Sequence, residues 1–142
     1  MSIPAQRRGF LGLAAWWLVL TLVAACAPVE PPRPAPPGAE QGIEVLGVQL
    51  LGRGELACLN FRVSDYERAR RAFGDAIAVL REGGDRALPV TTVGRLGPMR
   101  QRPSASGKKQ FVMFTNAGGV LKRGDRAVLV IGGTRIPGIP VT

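Results

Sequence analysis

Histidine is absent from all 142 residues. That excludes Ser-His-Asp and Cys-His catalysis and removes the commonest metal ligand. Cysteine is nearly absent: Cys26 and Cys58 are the only two. A zinc site needs about four clustered Cys, His or carboxylate ligands, and no such cluster can be assembled here. No metal and no other cofactor is expected. Both tryptophans, Trp16 and Trp17, fall in the first apolar run, so the rest of the chain must build its core without one. Acid is the scarcest charge. Ten acidic residues stand against 19 basic ones, for a net charge of +9. Between Asp85 and Asp125 there is no acid at all, while Arg86, Arg95, Arg100, Arg102, Lys108, Lys109, Lys122 and Arg123 are basic.

What is present begins with an address. Arg7 and Arg8 precede an apolar run over residues 10–25, broken only by Gly12 and Thr21. Those 16 residues are short for a membrane span, which wants about 20. The layout is that of a secretory signal. Arg7-Arg8-Gly9-Phe10-Leu11 resembles the twin-arginine export signal, although Gln6 and Gly12 depart from the residues usual beside that core. The resemblance implies export in a folded state, with Arg7, Arg8, Phe10 and Leu11 as the recognised residues. Val23-Ala24-Ala25-Cys26 resembles the bacterial lipobox. That resemblance implies lipidation of the Cys26 thiol, cleavage before it and acylation of the new amino terminus. Each buried CH₂ of such chains stabilises anchoring by roughly 0.8 kcal/mol, and more than one chain is needed for a stable hold. Ala27 follows the cysteine. By the sorting habit of Gram-negative lipoproteins this implies the outer membrane, with the domain facing the periplasm. An uncleaved N-terminal anchor helix is the competing reading of the same run.

Cleavage before Cys26 would leave 117 residues, a length suited to one domain. Loss of Arg7 and Arg8 leaves 17 basic residues against 10 acids, a net +7. Residues 26–42 hold prolines at 28, 31, 32, 34, 36 and 37. These preclude helix and sheet and favour polyproline II. The expectation is a disordered, semi-rigid stalk spanning on the order of 50 Å. Pro34 to Pro37 also spells a P-x-x-P ligand motif, a weaker reading beside an anchor.

Residues 43–142 are expected to form a small β-sandwich with one short helix. Ile43 to Val63 reads as a hairpin turning at Gly52-Arg53-Gly54. Its second half alternates, with Ala57, Leu59, Phe61 and Val63 on one face and Cys58, Asn60 and Arg62 on the other. Ser64 and Glu67 form a capping box for a helix whose apolar face carries Tyr66, Ala69 and Phe73. Its arginine face could meet anionic lipid heads but reads first as a solvated surface. Residues 76–93 read as a second hairpin, with Pro89 confining the return strand to an edge; continuation of the helix through residue 81 competes. Residues 94–107 read as a long exposed loop. Strands follow at 110–115 and 127–131, and a last strand starts at Thr134. The closing strands resemble immunoglobulin-like or fibronectin-like exported modules by pattern, without the Cys…Trp…Cys signature.

The chemistry on offer is thin. Ser106-Gly107-Lys108-Lys109 matches the S-x-x-K nucleophile motif, but it stands between a loop and a strand. Cys58 reads as an inert small apolar side chain. Arg123-Gly124-Asp125 reads as an ordinary turn. A small hydrolase using Ser106 or Cys58 is the weakest alternative. The first expectation is a non-enzymatic, lipid-anchored envelope module of unknown biochemical activity, binding or structural, that binds or organises a partner such as an envelope protein. The second is a polyanion- or anionic-lipid-binding module using residues 86–124, with Arg95, Arg100, Arg102, Lys108 and Lys109 as the anion-binding candidates. Nucleic acid is not expected: export argues against it, and only Phe111 and Phe114 could stack near the basic stretch.

Overall fold

The computed structural model describes residues 33–142. Arg7, Arg8, Phe10, Leu11 and Cys26 therefore lie outside the described residues. Two antiparallel sheets share one apolar core, giving a small β-sandwich. The first sheet holds β1 (Ile43–Leu51), β2 (Leu56–Val63) and, after the elements below, β7 (Gln110–Thr115). After β2 the helix α1 (Tyr66–Ala72) crosses to the second sheet, which begins with β3 (Ala78–Arg81) and β4 (Ala87–Leu88). A two-stranded ribbon, β5 (Thr92–Val93) with β6 (Gly97–Pro98), follows before the return to β7. Finally β8 (Arg126–Ile131) and β9 (Thr134–Pro140) complete the second sheet in the order β4-β3-β8-β9.

This connectivity is immunoglobulin-like. β1, β2 and β7 hold the A, B and E positions, and β4, β3, β8 and β9 hold C′, C, F and G. The D position is taken by three residues. Arg100 bridges Val112 antiparallel, the Met113 amide donates to Met99 O at 2.9 Å, and the Gln101 amide donates to Phe111 O at 3.0 Å. Residues 94–107 are thus a tethered segment for part of their length, where an open loop was expected.

Side-chain alternation explains the strands. Ile43 and Val45 face the core at odd positions, Val48 and Leu50 at even ones. A bulge between Val45 and Gly47 switches the parity, so that both halves of β1 bury their apolar residues. Ala57, Leu59 and Phe61 of β2 are fully buried, as are Val112 and Phe114 of β7. Each side chain as large as Leu or Phe stabilises by roughly 1.5–3 kcal/mol when fully buried. Phe61 packs against Phe73 beyond the end of α1, with ring centroids 4.9 Å apart.

Both seams between the sheets are bonded. The Leu50 amide donates to Thr142 O at 2.8 Å and the Thr142 amide to Val48 O at 2.9 Å, a parallel pairing of β1 with the segment after β9. On the other side, Pro89 ends the pairing of β4 with β3, and the chain passes to β7. The Thr91 amide donates to Met113 O at 2.8 Å and the Thr115 amide to Pro89 O at 2.9 Å. The expected return strand over residues 87–93 is divided between the two sheets at its proline, which has no N–H to continue the first ladder.

Two boundaries move. Asp65, not Ser64, caps α1: its Oδ1 accepts the Arg68 amide at 3.1 Å. The folded unit also begins earlier than residue 43. The Val45 amide donates to Pro37 O, residues Ala39–Gln41 form a 3₁₀ turn, and Gly42 O accepts the Ser64 and Asp65 amides. Gly42 sits at φ +74°, and a Cβ there would collide with Asp65 O. Only glycine tolerates that approach.

At the opposite end of the first sheet, Asn116 is 1% exposed. Its Nδ2 donates to Gly54 O at 2.7 Å and to Leu121 O at 2.8 Å, and its Oδ1 accepts the Leu121 amide at 2.9 Å. One side chain thereby ties the β1–β2 turn to the β7–β8 connection.

Candidate functional site

Two segments distant in sequence converge beside the N-terminal end of β7. Helix α1 brings Tyr66 and Arg70, with Phe73 and Gly74 just beyond it. The Met99–Gln101 segment and its continuation bring Arg100, Arg102 and Pro103. Together they line a cleft of about 460 Å³, within the size range of small-ligand sites. No carboxylate lines it.

Each wall is held by the fold. The α1 wall is fixed by the Asp65 cap, by the Phe73 amide bonded to Ala69 O at 2.9 Å and by the Phe61–Phe73 contact. The Arg100 wall is fixed by its pairing to β7, reinforced by Gln101 Oε1 accepting the Phe111 amide at 3.0 Å. Beyond it, the buried Gln110 grips the loop: its Nε2 donates to Ser104 O at 2.9 Å and its Oε1 accepts the Ser104 amide at 3.2 Å. The arginines are mounted on restrained backbone, although their side chains reach solvent.

The charges at this end are largely uncompensated. Arg70 meets Glu67 at 3.8 Å, with both side chains well exposed, so the pair is weak. Arg68 is tied to Asp65 at 3.2 Å. Among the described residues, Arg100 and Arg102 take part in no ion pair or side-chain hydrogen bond, and neither do Lys108 and Lys109.

A second recess of about 340 Å³ adjoins the cleft, sharing Gln101 and Arg102 and adding Ser104, Ser106, Lys108 and Lys109. Four of the five anion-binding candidates, Arg100, Arg102, Lys108 and Lys109, therefore line one continuous basic surface. Arg95 does not join them. It sits exposed in the 3₁₀ turn Gly94–Leu96 at the tip of the β5–β6 ribbon and lines neither cavity. Lys122 and Arg123 line a recess with Arg53 near the β1–β2 turn, at the other end of the sandwich.

Two contributors were not expected. Helical spacing puts Tyr66 on the apolar face of α1 with Ala69 and Phe73, but it is 41% exposed at the cleft. Arg70 belongs to the arginine face read first as solvated. The helical spacing of Arg70 from Tyr66 and Phe73 (four and three residues) puts them on neighbouring faces. What lies opposite them depends on where residues 99–103 cross, and no local pattern encodes that.

The candidate nucleophiles have ordinary surroundings. Ser106 Oγ pairs with Ser104 Oγ at 3.0 Å, and no bond joins it to Lys109. Cys58 is buried, and its thiol pKa is raised by burial, with Lys109 pulling it partly back. A thiol held protonated is a poor nucleophile. Among the described residues no three His, Cys, Asp or Glu side chains cluster as a metal site, and no helix is long and apolar enough to cross a membrane. No family model, no curated protein and no solved structure matches the chain.

Proposed function

We propose that this protein is an exported binding module of the cell envelope, anchored by lipid on Cys26 and facing the periplasm from the outer membrane. The observation that carries the reading is Val23-Ala24-Ala25-Cys26 followed at once by the proline-rich run. Support comes from the domain behind it. It is a β-sandwich whose Cys58 thiol is buried with its pKa raised by burial, the sequence holds no histidine, and the charged side chains lining its cleft are all basic. Such a surface suits binding, and among the described residues neither candidate nucleophile is joined to a base: Ser106 Oγ meets Ser104 Oγ and the Cys58 thiol is buried. Because the fold takes in residues 36–42, the spacer is 27–35, about 28 Å if extended. The test is metabolic labelling with radioactive palmitate. The wild-type chain takes up label and fractionates with membranes, and Cys26→Ser does neither. An unlabelled wild type, or a Cys26→Ser chain that stays with the membrane, removes the anchor from the account. Replacing Arg7 and Arg8 with lysine is expected to stop export.

A second reading, binding of an anionic polymer or anionic lipid, is favoured by the continuous basic surface formed by Arg100, Arg102, Lys108 and Lys109. It predicts association with lipopolysaccharide that weakens steeply as salt rises. Binding indifferent to salt, or absent, rejects it.

A further inference from the structure

We propose that the cleft between α1 and residues 100–103 is a phosphoryl-binding site, in which Arg70, Arg100 and Arg102 hold the phosphate oxygens and Tyr66 and Phe73 receive the apolar part of the ligand. The inference rests on the anion-binding reading and gives it one place and one ligand chemistry. Three observations carry it.

The first is convergence. Arginines from two segments, about 30 residues apart in the chain, line one cavity of about 460 Å³ with no acid in its wall. Gathering like charges raises the free energy of the empty site, and a bound anion lowers it. The second is residue type. All three charged residues in the wall are arginine, and the lysines lie in the neighbouring recess. A planar guanidinium bonds phosphate oxygens in pairs, which an ammonium cannot do. The third is the uncharged part of the wall. Tyr66 offers a hydroxyl on a ring, Phe73 and Pro103 offer apolar surface, and Gln101 is pinned through Phe111. A bare ion has no use for that surface, whereas a phosphate ester does. The cleft also lies at the helix end of the sandwich, where residues 36–42 enter against Asp65. A lipid headgroup and a small soluble phosphate share this chemistry, and the experiment separates them.

The full chain, purified in non-ionic detergent and labelled with ¹⁵N, is titrated with inorganic phosphate and with glycerophosphoglycerol, the deacylated form of an anionic lipid head. The amides of Tyr66, Arg70, Gly74 and Gln101 are followed by NMR. The expected result is a saturable shift confined to these residues, and a Kd raised about tenfold or more in R100Q/R102Q, one charge-assisted bond being worth about that factor. Unchanged Leu59 and Asn116 amides show that the variant is folded; R70Q serves if it is not. Tighter binding of the diester assigns the site to a lipid head, and tighter binding of inorganic phosphate assigns it to a soluble ligand. K122Q/R123Q, at the other end of the sandwich, retains the shift. No saturable shift with either probe, or equal shifts in the arginine variants, overturns the proposal. If lipopolysaccharide still binds in a salt-dependent way, the site assignment falls and the anion-binding reading stands; loss of both ends both.

Discussion

The two ends of the sandwich use their polar groups in opposite ways. At the Asn116 end a single amide is buried and fully bonded inside the protein, closing two turns at once. At the helix end three arginines stand around a cleft, and the protein supplies almost no partner for them. Buried polar groups that are satisfied specify the fold. Exposed charges held on fixed backbone without partners contribute little to stability and remain free for a ligand. The cationic residues near the first end (Arg53, Lys122 and Arg123) line a recess of their own and, among the described residues, take part in no ion pair. The contrast there rests on Asn116 itself: nearby Asp125 accepts the Lys122 backbone amide at 2.9 Å and meets Arg81 at 3.7 Å.

The contrast can be broken by mutation. Asn116→Ala should have the largest effect. It strands two carbonyls and one amide in a buried site and should lower stability by about 3 kcal/mol, seen as a melting temperature lower by about 12 °C. Binding at the helix end should survive wherever the variant is folded. Gly42→Ala comes next, at about 2 kcal/mol, because the added Cβ meets Asp65 O from a left-handed backbone. Here urea unfolding should show the loss, and α1 should shift with it. R100Q/R102Q should leave stability within about 0.5 kcal/mol of wild type while weakening salt-dependent anion binding about tenfold. A large drop in stability in that variant would make those arginines structural and erase the difference between the ends.

The smallest effect concerns Cys58. Its thiol pKa is raised by burial above the ordinary 9.0. The unfolded chain therefore releases the proton first as pH rises. The contribution of the thiol is intact below about pH 9 and is lost as pH climbs through the folded value. Cys58→Ala should show a shallower alkaline loss of stability than wild type, and native Cys58 should react slowly with iodoacetamide at neutral pH.

Much of the sandwich was legible where burial imposes a period. β2 alternates because one of its faces packs on the core, although Cys58 on the other face is also covered, and the Gly-rich turns at 52–54 and 132–133 mark hairpin ends. The boundaries that moved depend on tertiary contact. Gly42 looked like the end of a linker because its reason, the close approach of Asp65, lies in another segment. The D position at 99–101 has no alternation to betray it, being three residues between prolines that bond through their backbone. Asn116 opens Asn116-Ala117-Gly118-Gly119, ordinary turn chemistry, and nothing nearby in sequence announces that Gly54 lies within reach. At the cleft, Arg100 and Arg102 were visible through the lack of neighbouring acid, and Lys108 and Lys109 likewise. Arg70 and Tyr66 were hidden because helical spacing tells which side chains share a face, not what comes to stand across from it.

The pairing of β1 on both sides has a mechanical consequence. A pull transmitted through residue 36 first meets the 3₁₀ turn Ala39–Gln41, folded back on β1 by the Val45 amide bonded to Pro37 O at 3.0 Å, and then loads β1 itself. That strand is bonded antiparallel to β2 and parallel to Val141 and Thr142. The bonds on both flanks run across the direction of load, so they share it and resist sliding together, where a strand peeled from its end would yield one bond at a time. If the domain is held by its amino-terminal side as proposed, its resistance to tension depends on how fast that shear clamp opens under force, not on equilibrium stability.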